Sequence, residues 1–167
     1  ESLRNYHKAE SILEERLRPG HTQTIQIKTN IAVLYEDLGL FWEALDRHKE
    51  NLKYVDQLAP EAQMAAYFNL GSTLGVLGDA EEALRYMDLT EAVFDQYPQV
   101  NPIMKSKILA ERGGALFSLG KTEAAIQNLK QGLAYAEELM GEDTEENIVD
   151  YTRLGSIYSE SGQWEEA

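Results

Sequence analysis

Four glycines set the frame of this chain. The stretch "LYEDLGLFWEALDRHKENL", from Leu34 to Leu52, places a Gly, a bulky aromatic and an Ala at fixed offsets between two helical patterns. The same punctuation returns as "LGVLGDAEEALRYM", "LFSLGKTEAAIQNL" and "IYSESGQWEEA". Aligned on Gly39, Gly78, Gly120 and Gly162, the spacings are 39, 42 and 42 residues. A unit that recurs in this way cannot bury its apolar face alone, so it must stack on its neighbours into an array.

The other columns of the alignment give each unit its shape. Five residues after each glycine stand Ala44, Ala83, Ala125 and Ala167, and seven before it stand Ala32, Gly71, Gly113 and Gly155. Large residues fill the columns eight before (Ile31, Leu70, Arg112, Leu154) and four before (Tyr35, Leu74, Leu116, Tyr158), with Arg112 as the exception. A small residue on each of two antiparallel helices lets their backbones approach, while the large residues three or four positions away fill the gap on the same face. The glycine ends the first helix in the left-handed conformation, and Phe41, Asp79 or Thr122 starts the next after a very short turn. Phe41 and Trp164 share one slot. Breaks at "RPGHT", "APE", "PQVNP" and "GEDT" then predict eight helices near 1–17, 23–38, 41–57, 61–77, 80–97, 103–118, 122–140 and 145–160.

Composition narrows the partners. With 29 acidic against 15 basic side chains the formal charge is −14, so nucleic acid and anionic membrane surfaces are repelled overall. No apolar run approaches the roughly 18 residues needed to span a bilayer. The absence of cysteine rules out disulfides and thiolate metal sites but leaves the compartment open, with the cytoplasm favoured.

The signature W-x-x-L-G-x-x-Y, then Gly, then Ala, resembles the tetratricopeptide (TPR) repeat. The match is fullest in "YTRLGSIYSESGQWEEA", where Tyr151, Leu154, Gly155, Tyr158, Gly162 and Ala167 fall on motif positions. The period is longer than the usual one of about 34 residues, and "TNIAVLYEDLG" looks like the long-helix repeats of kinesin light chains and of bacterial regulatory TPR proteins. The resemblance implies an all-α, right-handed superhelical solenoid of antiparallel helix pairs. One solenoid is expected over 1–167: a half repeat at 1–20, full repeats near 21–59, 60–100 and 101–142, and a partial repeat at 143–167. The register of Ser2, Tyr6 and Ala9, 42 residues before Ala44, His48 and Asn51, makes residues 1–17 a second helix and the chain a fragment.

In such a superhelix the first helix of each pair lines the concave surface. Counted from the turn glycines, the expected groove residues are Thr29, Asn30, Val33 and Asp37, then Phe68, Asn69, Ser72 and Val76. The later repeats add Lys107, Ala110, Glu111, Gly114 and Phe117, then Thr152, Arg153, Ser156 and Glu160. Ser72, Gly75, Gly114 and Ser118 leave room between Phe68 and Phe117 for an extended peptide or a partner helix with an apolar anchor. Asn30 and Asn69 share a register, and an amide both donates to and accepts from a peptide backbone. The resemblance to kinesin-light-chain-like repeats implies that they hold a ligand's main chain; the plainer reading is a hydrogen bond to a neighbouring helix. A clamp for a terminal carboxylate is not expected, because Lys107 and Arg153 stand beside Asp37, Glu111 and Glu160.

Arg112 has two readings: pairing with a carboxylate, or, with Glu111, Gly113 and Gly114, opening a polar site for a small anion. His48 reads as a packed structural residue, while His7 and His21 lie apart from it. Glu81 and Glu82, like Glu145 and Glu146, sit at helix starts where the dipole favours them. No catalytic set, metal-spaced cluster or phosphate loop appears, so the chain is expected to be no enzyme and to need no cofactor or metal. Two functions follow: a scaffold that binds a protein or peptide segment in its groove, or a regulatory segment of a larger signalling protein that binds a small ligand or signal peptide. Weak self-association is also expected through the C-terminal end, where Tyr151, Leu154 and Tyr158 should present an open apolar face beside Trp164.

Overall fold

The computed structural model describes residues 1–18, 20–141 and 144–162, with only the helical backbone given at 145 and 146. Among them are eight α-helices and no strand: α1 Ser2–Arg16, α2 Thr22–Asp37, α3 Phe41–Leu52, α4 Pro60–Val76, α5 Ala80–Gln96, α6 Met104–Ser118, α7 Thr122–Met140 and α8 Glu145–Glu160. The boundaries agree with the repeat reading except in α3. That helix stops at Leu52 rather than running to 57, and the chain tightens into a 3₁₀ turn, Val55–Gln57, that buries Val55 and, just after it, Leu58. Pro60 follows at the first position of α4 and holds Ala59 extended, which fixes the break.

The turn glycines end their helices as the sequence requires. Gly39, Gly78, Gly120 and Gly162 all have positive φ, between 73° and 86°. After α2, the Leu40 amide donates to the Tyr35 carbonyl at 2.8 Å and the Gly39 amide to Glu36 at 2.9 Å, the paired bonds of a Schellman cap. The same pair closes α6, from Lys121 to Leu116 and from Gly120 to Phe117. The residue four before each glycine is thus the one whose carbonyl the cap needs. On the far side of the second turn, Asp79 caps α5, its carboxylate accepting from the Glu82 amide, and Glu81 and Glu82 occupy the first turn. Glu145 opens α8, but the side chains of Glu145 and Glu146 lie outside the described residues.

Each helix packs on the next in sequence, and α6 also touches both α4 and α8, so that the three form a single layer. The crossings within pairs are as close as the small columns demand. A methyl at Gly71 would lie 2.5 Å from Met87 Cε and 3.3 Å from the Ala83 carbonyl; one at Gly113 would lie 2.7 Å from Leu129 Cγ and 3.1 Å from the Ala125 carbonyl. Ala32, Ala44 and Ala125 are fully buried. Gly155 differs, because nothing described lies within 4 Å of a methyl placed there, and its partner Ala167 lies outside the described residues. A second small column went unread in the sequence. Twelve residues after the turn glycines stand Asn51, Thr90 and Gly132, all buried, and a methyl at Gly132 would meet the Ser106 carbonyl at 3.0 Å.

The open C-terminal face needs correction. Leu154 and Tyr158 are buried, with Ile157, against Ile126, Leu129 and Leu133 of α7. They complete the core rather than await a cover, since helix α8 packs back on the preceding pair. Only Tyr151 of the three is exposed, and its hydroxyl donates to Glu137 on α7. Trp164 lies outside the described residues.

Candidate functional site

The layer of α4, α6 and α8 carries a cavity of about 350 Å³ that is open to solvent. Its existence follows from small residues: Gly71, Gly75, Gly114 and Ser118 all line it, and a methyl added at Gly114 would meet nothing within 4 Å. The second helices supply the floor through Ala83 and Met87 of α5 and Leu129 of α7, joined by Ala115 and Ile157. Val76 and Phe117 give apolar edges, and Glu111, Thr152, Arg153, Ser156 and Glu160 give the polar ones. An apolar floor with a few polar groups around it is the usual make-up of a ligand site of this size.

One register column organises the polar edge. Nine residues before the turn glycines stand Asn30, Asn69, Glu111 and Arg153. Glu111 accepts from Arg153 Nη2 at 2.9 Å and from the Ser72 hydroxyl at 3.3 Å, so α4, α6 and α8 are tied through one carboxylate. Arg153 also lies 3.9 Å from Asp150, which is buried. Burial pushes the Asp150 carboxyl above its ordinary range; Arg153 pulls it back and the Glu111 charge pushes it further.

The expected site residues divide by position. Val76, Glu111, Gly114, Phe117, Thr152, Arg153, Ser156 and Glu160 come together around the cavity, and Ser72 reaches it through Glu111. Asn30, Val33 and Asp37 on α2 do not line it; the Asn30 carbonyl oxygen accepts from Gln26, one turn earlier on its own helix. Asn69 and the exposed Lys107 also lie outside the lining. Phe68 is half-buried against the Met64 and Met87 cluster, and Ala110 is 5% exposed, so both serve the core. The reason is rotation: a helix packed on both sides leaves a narrow strip free, and these two residues fall beyond its edge. The floor residues Met87 and Leu129 were not legible as site residues, because in sequence they read only as core.

Arg112 is drawn away from this site. Its Nη2 donates to Asp88 at 2.6 Å and to Glu91 at 2.7 Å, both on α5, and Lys105 bonds Glu91 as well. Burial raises the Glu91 carboxyl, but hydrogen bonds from Arg112 and Lys105 outweigh it and hold the group below its ordinary value. The pairing is the structural reading of Arg112, and Glu111 belongs to a different cluster. His48 is 2% exposed, with Nε2 3.3 Å from Glu36, whose same oxygen accepts from the Thr73 hydroxyl. His7 contacts Glu10 and Tyr35, and His21 accepts from the Gln23 amide at the start of α2. Among the described residues no group of three or more His, Asp or Glu is placed to hold a metal, and no helix is long and apolar enough to cross a membrane.

No protein-family profile and no curated protein sequence matches the chain. Solved structures do. One is a Podosopora anserina protein described as a kinesin light chain with nearly identical TPR-like repeats, at 18% identity and TM-score 0.76 over 98% of this chain and 79% of that one. Another is BtubC (BKLC) from P. vanneervenii, at 19% identity and TM-score 0.72 over 95% of this chain and 63% of that one. MamA matches at 20% identity and TM-score 0.63 over 98% and 79%. The chain is a TPR-like repeat solenoid. In TPR-like terms α2, α4, α6 and α8 are the first helices of their pairs, and the cavity opens on the side they line.

Proposed function

We propose that this TPR-like chain is an interaction scaffold that seats a segment of a partner protein across α4, α6 and α8, without chemistry of its own. The observation that carries the reading is the open cavity of about 350 Å³ with an apolar floor, built where Gly75 and Gly114 withhold side chains. Burying one Leu- or Phe-sized anchor there contributes about 1.5 to 3 kcal/mol, with the rest of the affinity coming from main-chain and rim contacts. Gly114→Leu tests it, because the new side chain enters space that nothing else fills. Short peptides selected on the wild-type protein should lose at least about tenfold in affinity for the variant, while its melting temperature and helix content stay near wild type. Peptides that bind both proteins equally would refute the site.

A further inference from the structure

Charge around the cavity points to the kind of segment that occupies it. Two carboxylates, Glu111 and Glu160, line the cavity with a single guanidinium, that of Arg153, which bonds Glu111 at 2.9 Å and lies 3.9 Å from Asp150, a buried carboxylate outside the lining. Glu111 spends its other oxygen on the Ser72 hydroxyl. Glu160 lines the cavity, is exposed and makes no ion pair among the described residues. Lys107 stands one turn before Glu111 but lies outside the lining. The site therefore keeps surplus negative charge beside an apolar floor. The whole chain, at −14, adds a field of the same sign that draws cations and repels anions.

Resting on the groove reading above, we propose that the occupant is a cationic protein segment, with a Lys or Arg next to the apolar side chain that enters the cavity. The apolar group sits over Met87, Leu129 and Ile157, and the cation meets Glu160 and the outer edge of Glu111. An acidic segment, or a free C-terminal carboxylate, meets like charge from Glu160 and Glu111 at the same edge and has to compete with Glu111 for Arg153.

The test is a selection of displayed random peptides on the wild-type protein, with those that also bind Gly114→Leu discarded. The surviving peptides should carry Lys or Arg beside an apolar residue. Their synthetic forms should weaken by about tenfold or more when that cation is changed to Glu, and should weaken again when salt is raised from about 0.05 M to about 0.5 M. Glu111→Gln combined with Glu160→Gln should remove most of the preference for the cation while the apolar anchor still binds. Cavity-dependent peptides that are neutral or acidic, or that are indifferent to the two Glu→Gln changes, overturn the charge proposal and leave the groove reading standing. No cavity-dependent peptide at all overturns both.

Discussion

Gly113 and Gly114 are neighbours in α6 and meet opposite surroundings. The first lies under Leu129 and the Ala125 carbonyl, and the second faces the open cavity. One added methyl therefore has opposite effects at the two positions. Gly113→Ala should destabilise the chain by about 1 to 3 kcal/mol through overpacking, whereas Gly114→Ala should stabilise it by about 0.5 to 1 kcal/mol through helix propensity. Urea denaturation of the two single variants decides this, and equal shifts would contradict the packing described. Trp42 makes a second residue-scale case. It is 67% exposed in the first turn of α3, in the column that holds Glu81 and Glu123 in the next repeats. An acid there interacts with the helix N-terminus, so Trp42→Glu should raise the melting temperature slightly, by the equivalent of about 0.3 to 1 kcal/mol at low salt. A loss of stability would mean that the indole packs on something essential.

At the level of elements, polar links stand where the apolar columns are interrupted. Arg112 takes a position held by Ile31, Leu70 and Leu154 in the other repeats, and it bridges α6 to Asp88 and Glu91 on α5. Its side chain is 17% exposed and that of Glu91 23%, between the surface and buried regimes. Arg112→Ala should accordingly cost about 1 to 3 kcal/mol. The pH dependence has a definite sign. Because Glu91 is held below its ordinary value of 4.5, its contribution is present above that value and is lost as pH falls through its folded-state pKa. Asp150 is shifted upward, so it favours the fold at low pH and loses that contribution as pH rises through its elevated pKa. Glu91→Gln should flatten the acid limb of a stability–pH profile, and Asp150→Asn should raise the neutral plateau. Unchanged profiles would remove the electrostatic account of both.

Over the whole molecule, stability passes from one pair to the next because helices touch mainly their sequence neighbours. The junction between the first two pairs joins Leu45 of α3 to Leu70 and Leu74 of α4 and adds a polar link through Glu36, whose carboxylate holds the buried His48 of α3 and the buried Thr73 of α4 together. Glu36→Ala leaves both partners without that acceptor and should cost about 1 to 3 kcal/mol. It should also uncouple the N-terminal pair, lowering the urea m-value. Trp42 fluorescence, recorded in a Trp164→Phe background, would then change before circular dichroism does. Coincident transitions would show that the junction does not depend on this carboxylate.

Sequence alone determined the repeat. Gly39, Gly78 and Gly120 had to cap helices because only glycine adopts positive φ without strain, and Ala44, Gly71 and Gly113 had to mark crossings because backbones meet only where side chains are small. Those constraints are local, and they recur, so the helix pairs were legible without coordinates. Tertiary structure decided which strip of each first helix stays free. It sent Phe68 and Ala110 into the core, left Asn30 and Asn69 off the cavity, turned Leu154 and Tyr158 onto α7, and brought Met87 and Leu129 from the second helices to the floor. It also gave Arg112 to Asp88 and Glu91, and Arg153 to Glu111. Each of these outcomes turns on the rotation and depth of one helix against two others. A shift of one residue on a helix rotates a side chain by about 100°, so the facing of a residue near the edge of a strip is set by packing between helices and not by its place in the repeat.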